Sequence, residues 1–344
     1  RENTMTALRY MLLFLLVGIG ILGAYLLNPP APLSEDAPPH SFSAYRALSH
    51  VAAMAAAPHR TRTAANAKVR DYILGELAKM GLQGEVVSAT TVGMGGFGEP
   101  EDIIARLPGT APTKAFMLCA HYDSVPFGPG AADDLSGVAT MLETCRALQA
   151  GPRLRNDVVF LFDDAEERGL LGAYLFRDQG RCAGIGLMLN IEARGTCGPS
   201  WLFETSDQNG WLLPEILRAV PCPRMNPLIY DVYLQTPFKS DFAVLKPDIP
   251  GMNMAFMDDI ALYHTGNDDT DHLDPGSLQH HGCQALSLAR HFGAIDLTNL
   301  PRAPEAVAVT LFGNIALCHP QSWQTWLLGR TVCPRRLQGR GAGS

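Results

Sequence analysis

Apolar residues fill Tyr10–Leu27 (YMLLFLLVGIGILGAYLL) without a single charge, and beyond that run the hydrophobic pattern breaks into short blocks. The run is about as long as a helix needs to be to cross a bilayer. A cleaved signal peptide is usually shorter and ends at a small-residue site, which is missing here, and a buried core helix would keep a polar face. Arg1 and Arg9 precede the run and no Lys or Arg follows until Arg46. The positive-inside bias therefore predicts a single-pass membrane anchor over residues 1–28, with the rest of the chain on the extracytoplasmic side, periplasmic or lumenal. Residues 29–43 are rich in Pro and small polar residues and read as an extended linker.

From residue 44 the pattern alternates between helical and strand-like periods. Val69, Tyr72, Ile73, Leu77 and Met80 share one helical face, with Thr63 as a candidate N-cap and Gly81 as a stop. Two short strands are expected over 84–89 and 102–107, with TTVGMGGFGEP between them as a flexible loop. Three apolar blocks follow, over 115–120, 157–162 and 185–191, separated by helix-like segments at 135–148 and 170–176. That alternation predicts an α/β fold, a three-layer α/β/α sandwich around a mixed, largely parallel sheet, spanning residues 44–296. Residues 306–317 form an apolar stretch too short to span a bilayer, and residues 329–344 are rich in Gly and Arg. Residues 297–344 are accordingly expected to be a truncated membrane segment or a disordered tail.

Composition narrows the function. The 344 residues are 47% hydrophobic with a formal net charge of −7, and the chain has no long basic cluster, so nucleic acid is excluded as a partner. The eight cysteines form no CxxC pair, which argues against a thiolate metal site and a dense disulfide framework; one or two disulfides stay open.

In open parallel sheets ligands bind beyond the carboxyl ends of the strands, and that is where this chain places its metal-ligand residue types. His121 closes one apolar block, with Asp123 two residues on, close enough to accept a hydrogen bond from the ring nitrogen that does not face a metal. The bland alternative is a surface turn capped by Asp123. Asp133 and Asp134 enter a helix after a Gly-rich turn, and either could be its N-cap or a carboxylate bridging two metals. Asp163, Asp164, Glu166 and Glu167 crowd like charges at another strand end, which a cation would relieve. One glutamate of that pair could bind metal while its neighbour takes a proton from water. Glu192 and His264 supply a further carboxylate and imidazole, though each alone is more often a surface or supporting residue.

Taken in order, HYDSVPFGPGAADDLSG, FDDAEERGLLGA, NIEARG and YHT resemble the co-catalytic di-zinc aminopeptidase family, which includes glutamate carboxypeptidase and the transferrin receptor ectodomain. The resemblance covers residues 43–293. NIEARGTCGPSWLFETS, FKSDFAVL and YHTGNDDTDHLDPGSLQHHG are most similar to the membrane-anchored branch of endoplasmic-reticulum metallopeptidases, vacuolar membrane proteases and bacterial relatives. It implies a zinc-exopeptidase-like fold and a metallopeptidase, most readily an aminopeptidase, with peptide substrates and two Zn2+ per chain. His121 and Glu192 would complete one zinc, Glu167 and His264 the other, Asp133 would bridge them, and Glu166 would be the general base. It also implies a cis peptide between Asp133 and Asp134. Family members often carry Asp where this chain has Glu192; the membrane-anchored branch uses Glu. Arg194, Tyr230, Ser240 and Asp241 are candidates for supporting or substrate contacts with no role fixed by spacing. Another amidohydrolase or a cyclase on the same scaffold, and a non-catalytic receptor-like module, are the competing classes.

Overall fold

A computed structural model describes residues 2–311, 313 and 315–323 of the chain. In chain order its first half contains α1 (Glu2–Leu27), α2 (Ala44–Met54), α3 (Ala64–Lys79), β1 (Gly84–Ser88), β2 (Thr91–Gly93), β3 (Gly96–Gly98), β4 (Glu101–Leu107), β5 (Ala115–His121), α4 (Leu135–Gln149), β6 (Val158–Asp163) and α5 (Leu171–Asp178). The second half contains β7 (Ile185–Ala193), β8 (Trp201–Thr205), α6 (Leu212–Ala219), α7 (Pro227–Gln235), α8 (Asp241–Leu245), β9 (Gly251–Phe256), α9 (Pro275–Ala294), β10 (Ala306–Leu311) and β11 (Ile315–Pro320).

The main sheet runs β1-β4-β6-β5-β7-β9-β8. β6, β5, β7 and β9 are parallel, while β1, β4 and β8 add antiparallel edges. The parallel strands are buried on both faces, which is why they read as continuous apolar runs rather than alternating ones. Alternate residues still part to opposite layers. Phe116, Leu118 and Ala120 of β5 join the core beneath α2, α3, α4 and α9, and Ala115, Met117 and Cys119 join the core beneath α5 and α8. This is the expected three-layer sandwich.

The local signals act as the side chains require. Thr63 Oγ1 accepts from the Asn66 N–H at 3.1 Å and opens α3; such a cap contributes about 1 kcal/mol. Asp274 caps α9, with Pro275 in its first turn.

Four stretches differ from the sequence reading. TTVGMGGFGEP is a β2–β3 hairpin rather than a flexible loop, and it is pinned to the start of α5 by a hydrogen bond from Met94 N to Gly169 O at 3.0 Å. A Cβ on Gly93 would lie 2.3 Å from Gly169 O, so only glycine allows that approach. The Pro-rich linker is tied down: Leu33 N donates to Gln279 Oε1 (2.8 Å), and Arg46 donates to the carbonyls of Ala37 (3.0 Å) and Ser41 (2.7 Å). Within 297–344, residues 306–311 and 315–320 are ordered as β10 and β11, which pair as an antiparallel hairpin. That hairpin is hydrogen-bonded to the domain through Thr310 N to Met225 O at 2.8 Å. The stretch at 329–344 lies outside the described residues. Finally, periodicity does not predict β8, β9 and α9, because Glu204 in β8, Asn253 in β9 and Gln279, His280, His281 and Gln284 in α9 are buried polar residues that interrupt the apolar pattern.

All seven cysteines among the described residues are free thiols. α1 contains a span, Met5–Leu27, long and apolar enough to cross a bilayer, with mean hydropathy 2.4 and no part of it buried against the domain. Arg224 donates to Leu26 O at 2.8 Å, satisfying one of the carbonyls that a helix C-terminus leaves open.

Candidate metal centre

The parallel strands deliver the chemistry at one end of the sheet. β5 ends on His121, β7 carries Glu192 as its last residue but one, and β6 runs into the turn holding Glu166 and Glu167. Ala165, immediately before that pair, has φ 65, and His264 has φ 59. Non-glycine residues in this left-handed region are retained where the surroundings fix them. Asp133 and Asp134 stand on the loop that enters α4, and the peptide bond between them is cis.

These residues converge. Asp133 directs Oδ1 toward His121 Nε2 (3.4 Å) and Oδ2 toward His264 Nε2 (3.1 Å), and His264 Nε2 lies 2.9 Å from Glu167 Oε1. Two groups of potential ligand atoms lie within 4.8 Å of one another: His121, Asp133 and Glu167, and His121, Asp134 and Glu192. The close approach of His264 to Glu167 is not a hydrogen bond, since His264 Nε2 and Glu167 Oε1 are both buried without a hydrogen-bond partner, as is Asp134 Oδ2. Buried polar atoms are normally satisfied, so lone pairs left facing a shared centre fit a cation. The set of imidazole and carboxylate donors is also what zinc takes.

Charge points the same way. Burial pushes the Glu192 carboxyl up to about 8 and Glu167 to about 7, and raises Glu166 and Asp134 well above the usual carboxylate range. Coulombic repulsion from neighbouring carboxylates adds to each of these shifts. For His264, burial lowers the ring, but Asp133 and Glu167 outweigh it and carry it up to about 9. Burial likewise opposes the charge on Asp133, yet the two histidines hold it below its ordinary value. So many carboxylates gathered around two imidazoles form a pocket whose carboxylates are all ionised together only beside a cation.

Supporting contacts fix the donors. His121 Nδ1 is 3.1 Å from the backbone carbonyl of Asp123 and 3.4 Å from its Oδ1, while that carboxylate accepts from Glu166 N at 3.0 Å. Asp123 therefore holds both the ring and the Glu166 backbone, the nearer contact to the ring coming from its carbonyl. With Nδ1–H donating there, Nε2 keeps its lone pair toward Asp133. Asn190 Nδ2 donates to Glu192 Oε1 at 3.1 Å and is itself 3.2 Å from Asn253 Oδ1, and Asn253 Nδ2 donates to Ser240 Oγ at 2.7 Å. Asp241 is buried beside Asp163 below the pocket, and Tyr230 lies away from it, 3.4 Å from Lys246 Nζ.

Sequence reasoning left the role of one residue open and missed another. Asp134 is the N-cap of α4, accepting from Gly137 N at 3.1 Å, and its carboxylate is also grouped with His121 and Glu192. Asp268 accepts from Ala132 N (2.7 Å) and Asp133 N (3.1 Å), clamping the loop that carries Asp133. The adjacent aspartates advertised the first; nothing in the spacing of GNDDT marked the second.

A carboxylate-rich crevice with paired imidazoles at the carboxyl ends of a parallel sheet defines the class of site: a candidate metal centre. More narrowly, the chain belongs to peptidase family M28, whose model matches residues 102–289. It is 32% identical over 214 residues to endoplasmic reticulum metallopeptidase 1 of Mus musculus, a match covering 59% of this chain and 24% of that protein. The chain thus spans about a quarter of that relative's length. Its fold is similar to a Zn-dependent exopeptidase from Parabacteroides distasonis (TM-score 0.59, 21% identity, 73% of this chain and 98% of that one). Porphyromonas gingivalis glutaminyl cyclase is equally similar (TM-score 0.60, 19% identity, 73% and 98%). At these identities both structures speak to the fold.

Proposed function

We propose that this chain is a membrane-anchored exopeptidase that removes residues from peptide amino termini with two zinc ions. His121, Asp133 and Glu192 would hold one ion, and Asp133, Glu167 and His264 the other. The observation that carries this reading is Asp133, whose two oxygens face two different histidines. A single-metal site has no use for that arrangement. Asp134, grouped with His121 and Glu192, is within reach of the first ion as a further oxygen donor.

When bound, the metals would supply Lewis acidity, polarising the scissile carbonyl and acidifying the attacking water. The chain's own residues do the rest. Glu166 accepts the water proton on its carboxylate and returns it to the leaving amine; its buried position raises its affinity for that proton, which suits a group that must both take and give it. Asp123 holds His121 in one tautomer and fixes the backbone of Glu166, so base and ligand keep their relative positions. The amino-terminal direction of attack rests on the resemblance of the motifs. Its test is hydrolysis of aminoacyl amides by the zinc-loaded protein, run beside cyclisation of N-terminal glutamine peptides. Amide hydrolysis abolished in Glu166→Gln supports the reading; cyclisation without hydrolysis contradicts it.

The anchor reading assigns residues 1–28 to the membrane, 29–43 to the linker, 44–296 to the peptidase domain and 297–344 to the tail, with the domain extracytoplasmic. It is supported by the apolar span of α1 and by the charge bias around it. Protease shaving of sealed membranes checks the side: digestion of the domain only after the vesicles are opened from the cytoplasmic face would contradict it.

A further inference from the structure

Arg194 follows Glu192 by two residues at the end of β7, and its guanidinium sits among aromatic rings: 5.1 Å from the Phe238 centroid, 5.6 Å from Tyr263 and 5.9 Å from Tyr233. Tyr263 in turn stacks on His264, with ring centroids 3.7 Å apart. One ring thus separates the guanidinium from a residue of the metal centre. Phe238 is half exposed, so the cage around Arg194 reaches solvent at that ring. The cage is itself held: Tyr233 Oη accepts from Ser240 N at 3.1 Å, and its ring packs edge-on against Phe203.

Within this cage the guanidinium spends none of its donors. Among the described residues no carboxylate oxygen lies within 4.0 Å of it and its side chain makes no hydrogen bond. Two other partly buried arginines make close polar contacts: Arg46 donates to Glu143 and to the Ser41 carbonyl, and Arg70 pairs with Glu101. An arginine serving only to balance the acidic pocket would turn its fork onto Glu192 or Asp133. Ring faces orient a guanidinium by cation–π attraction and leave its N–H edge free, and that edge matches a planar carboxylate in bidentate geometry.

We propose that Arg194 receives a carboxylate of the substrate adjacent to the scissile bond, so that the substrates are acidic or short peptides. This rests on the peptidase reading above. The carboxylate has two possible sources: the terminal carboxylate of a dipeptide, or the side chain of an acidic residue. In either case the arginine is a specificity residue and takes no part in bond breaking.

Matched substrate pairs test it on the zinc-loaded protein. Leu-Ala against Leu-Ala amide reads a terminal carboxylate, and Glu-Ala amide against Gln-Ala amide reads a side-chain carboxylate. The expected result is a preference of about 10- to 100-fold in kcat/KM for the carboxylate member of one pair, carried mainly by KM. Arg194→Met collapses that ratio and Arg194→Lys keeps part of it. No preference in either pair, or a loss in Arg194→Met that is equal for charged and uncharged substrates, overturns the inference. Calorimetric binding of the same compounds to Glu166→Gln, with and without Arg194→Met, gives a readout independent of turnover. An Arg194-dependent preference in binding with no hydrolysis of any substrate would sink the peptidase reading and leave the carboxylate site standing; absence of both sinks both.

Discussion

Two pairs of buried histidines show how one residue type is put to opposite uses. His121 and His264 sit among carboxylates. Burial pulls both rings down, yet Asp123 and Asp133 for the first, and Asp133 and Glu167 for the second, carry them above their ordinary value, to about 9 for His264. His280 and His281, neighbours on α9, meet no carboxylate side chain. Burial is the main cause of their shift, with a nearby positive charge (Arg224 for His280, His280 for His281) acting in the same direction, lowering His280 to about 4 and His281 to about 3. Their partners are neutral: Ser200 N donates to His280 Nδ1 (3.1 Å), His280 Nε2 donates to the Cys222 carbonyl (2.9 Å), and His281 Nδ1 lies 2.6 Å from Ser200 Oγ. The first pair faces a shared centre of carboxylates, and the second packs α9 against Ser200 and Cys222, with only His281 Nε2 left without a partner. Proximity to anions, rather than burial, separates a ligand from a structural histidine.

The sharpest break of this comparison removes chemistry while leaving the acidic setting in place. Glu166→Gln is expected to lower turnover by about 10²- to 10⁴-fold while retaining its metal, checked by paired kinetics and metal analysis. Retained turnover would mean that the proton goes elsewhere. Next in size is Asp268→Asn, which weakens the clamp on the Ala132 and Asp133 N–H groups. Metal titration should then show affinity about 10- to 100-fold lower, with the fold intact by circular dichroism. An unchanged affinity would make Asp268 a bystander.

His280 sharpens the other side. Its folded pKa of about 4 lies below the unfolded value of 6.5, so the unfolded chain binds the proton first. Stability should therefore fall as pH drops below about 6.5 and level off near 4, a loss of at most about 3 kcal/mol. Denaturant melts of His280→Gln across that window should be flatter than those of the native chain; equal slopes would mean that other groups dominate. The smallest effect belongs to Thr63→Ala, far from either pair, which should cost about 1 kcal/mol in chemical denaturation and leave the metal titration unchanged.

The same contrast explains what could be read before the structure. β5, β6, β7, α3 and α4 were legible because double-sided burial makes strands continuously apolar and because Thr63 and Asp134 are local caps whose signals need no tertiary context. α9 was not, since its inward face carries Gln279, His280, His281 and Gln284, polar residues whose partners come from distant segments. The β2–β3 hairpin was hidden for a related reason: its glycines answer to the approach of Gly169, more than 70 residues away in the chain. At the metal centre the residues at strand ends announced themselves, whereas Asp268 acts through backbone N–H groups that leave no trace in spacing. Asp133 could be singled out from Asp134 only by resemblance. In the fold the two differ because one divides its oxygens between His121 and His264 while the other shares its carboxylate between Gly137 N and the His121 side of the pocket.

The most direct test of the two-metal account is the zinc content of the purified chain, measured beside Asp133→Ala. Two zinc ions per chain in the native protein, with both lost together in the variant, is the expected result. One ion in the native chain, or one ion remaining tightly bound after Asp133 is removed, would contradict the bridge and with it the central claim.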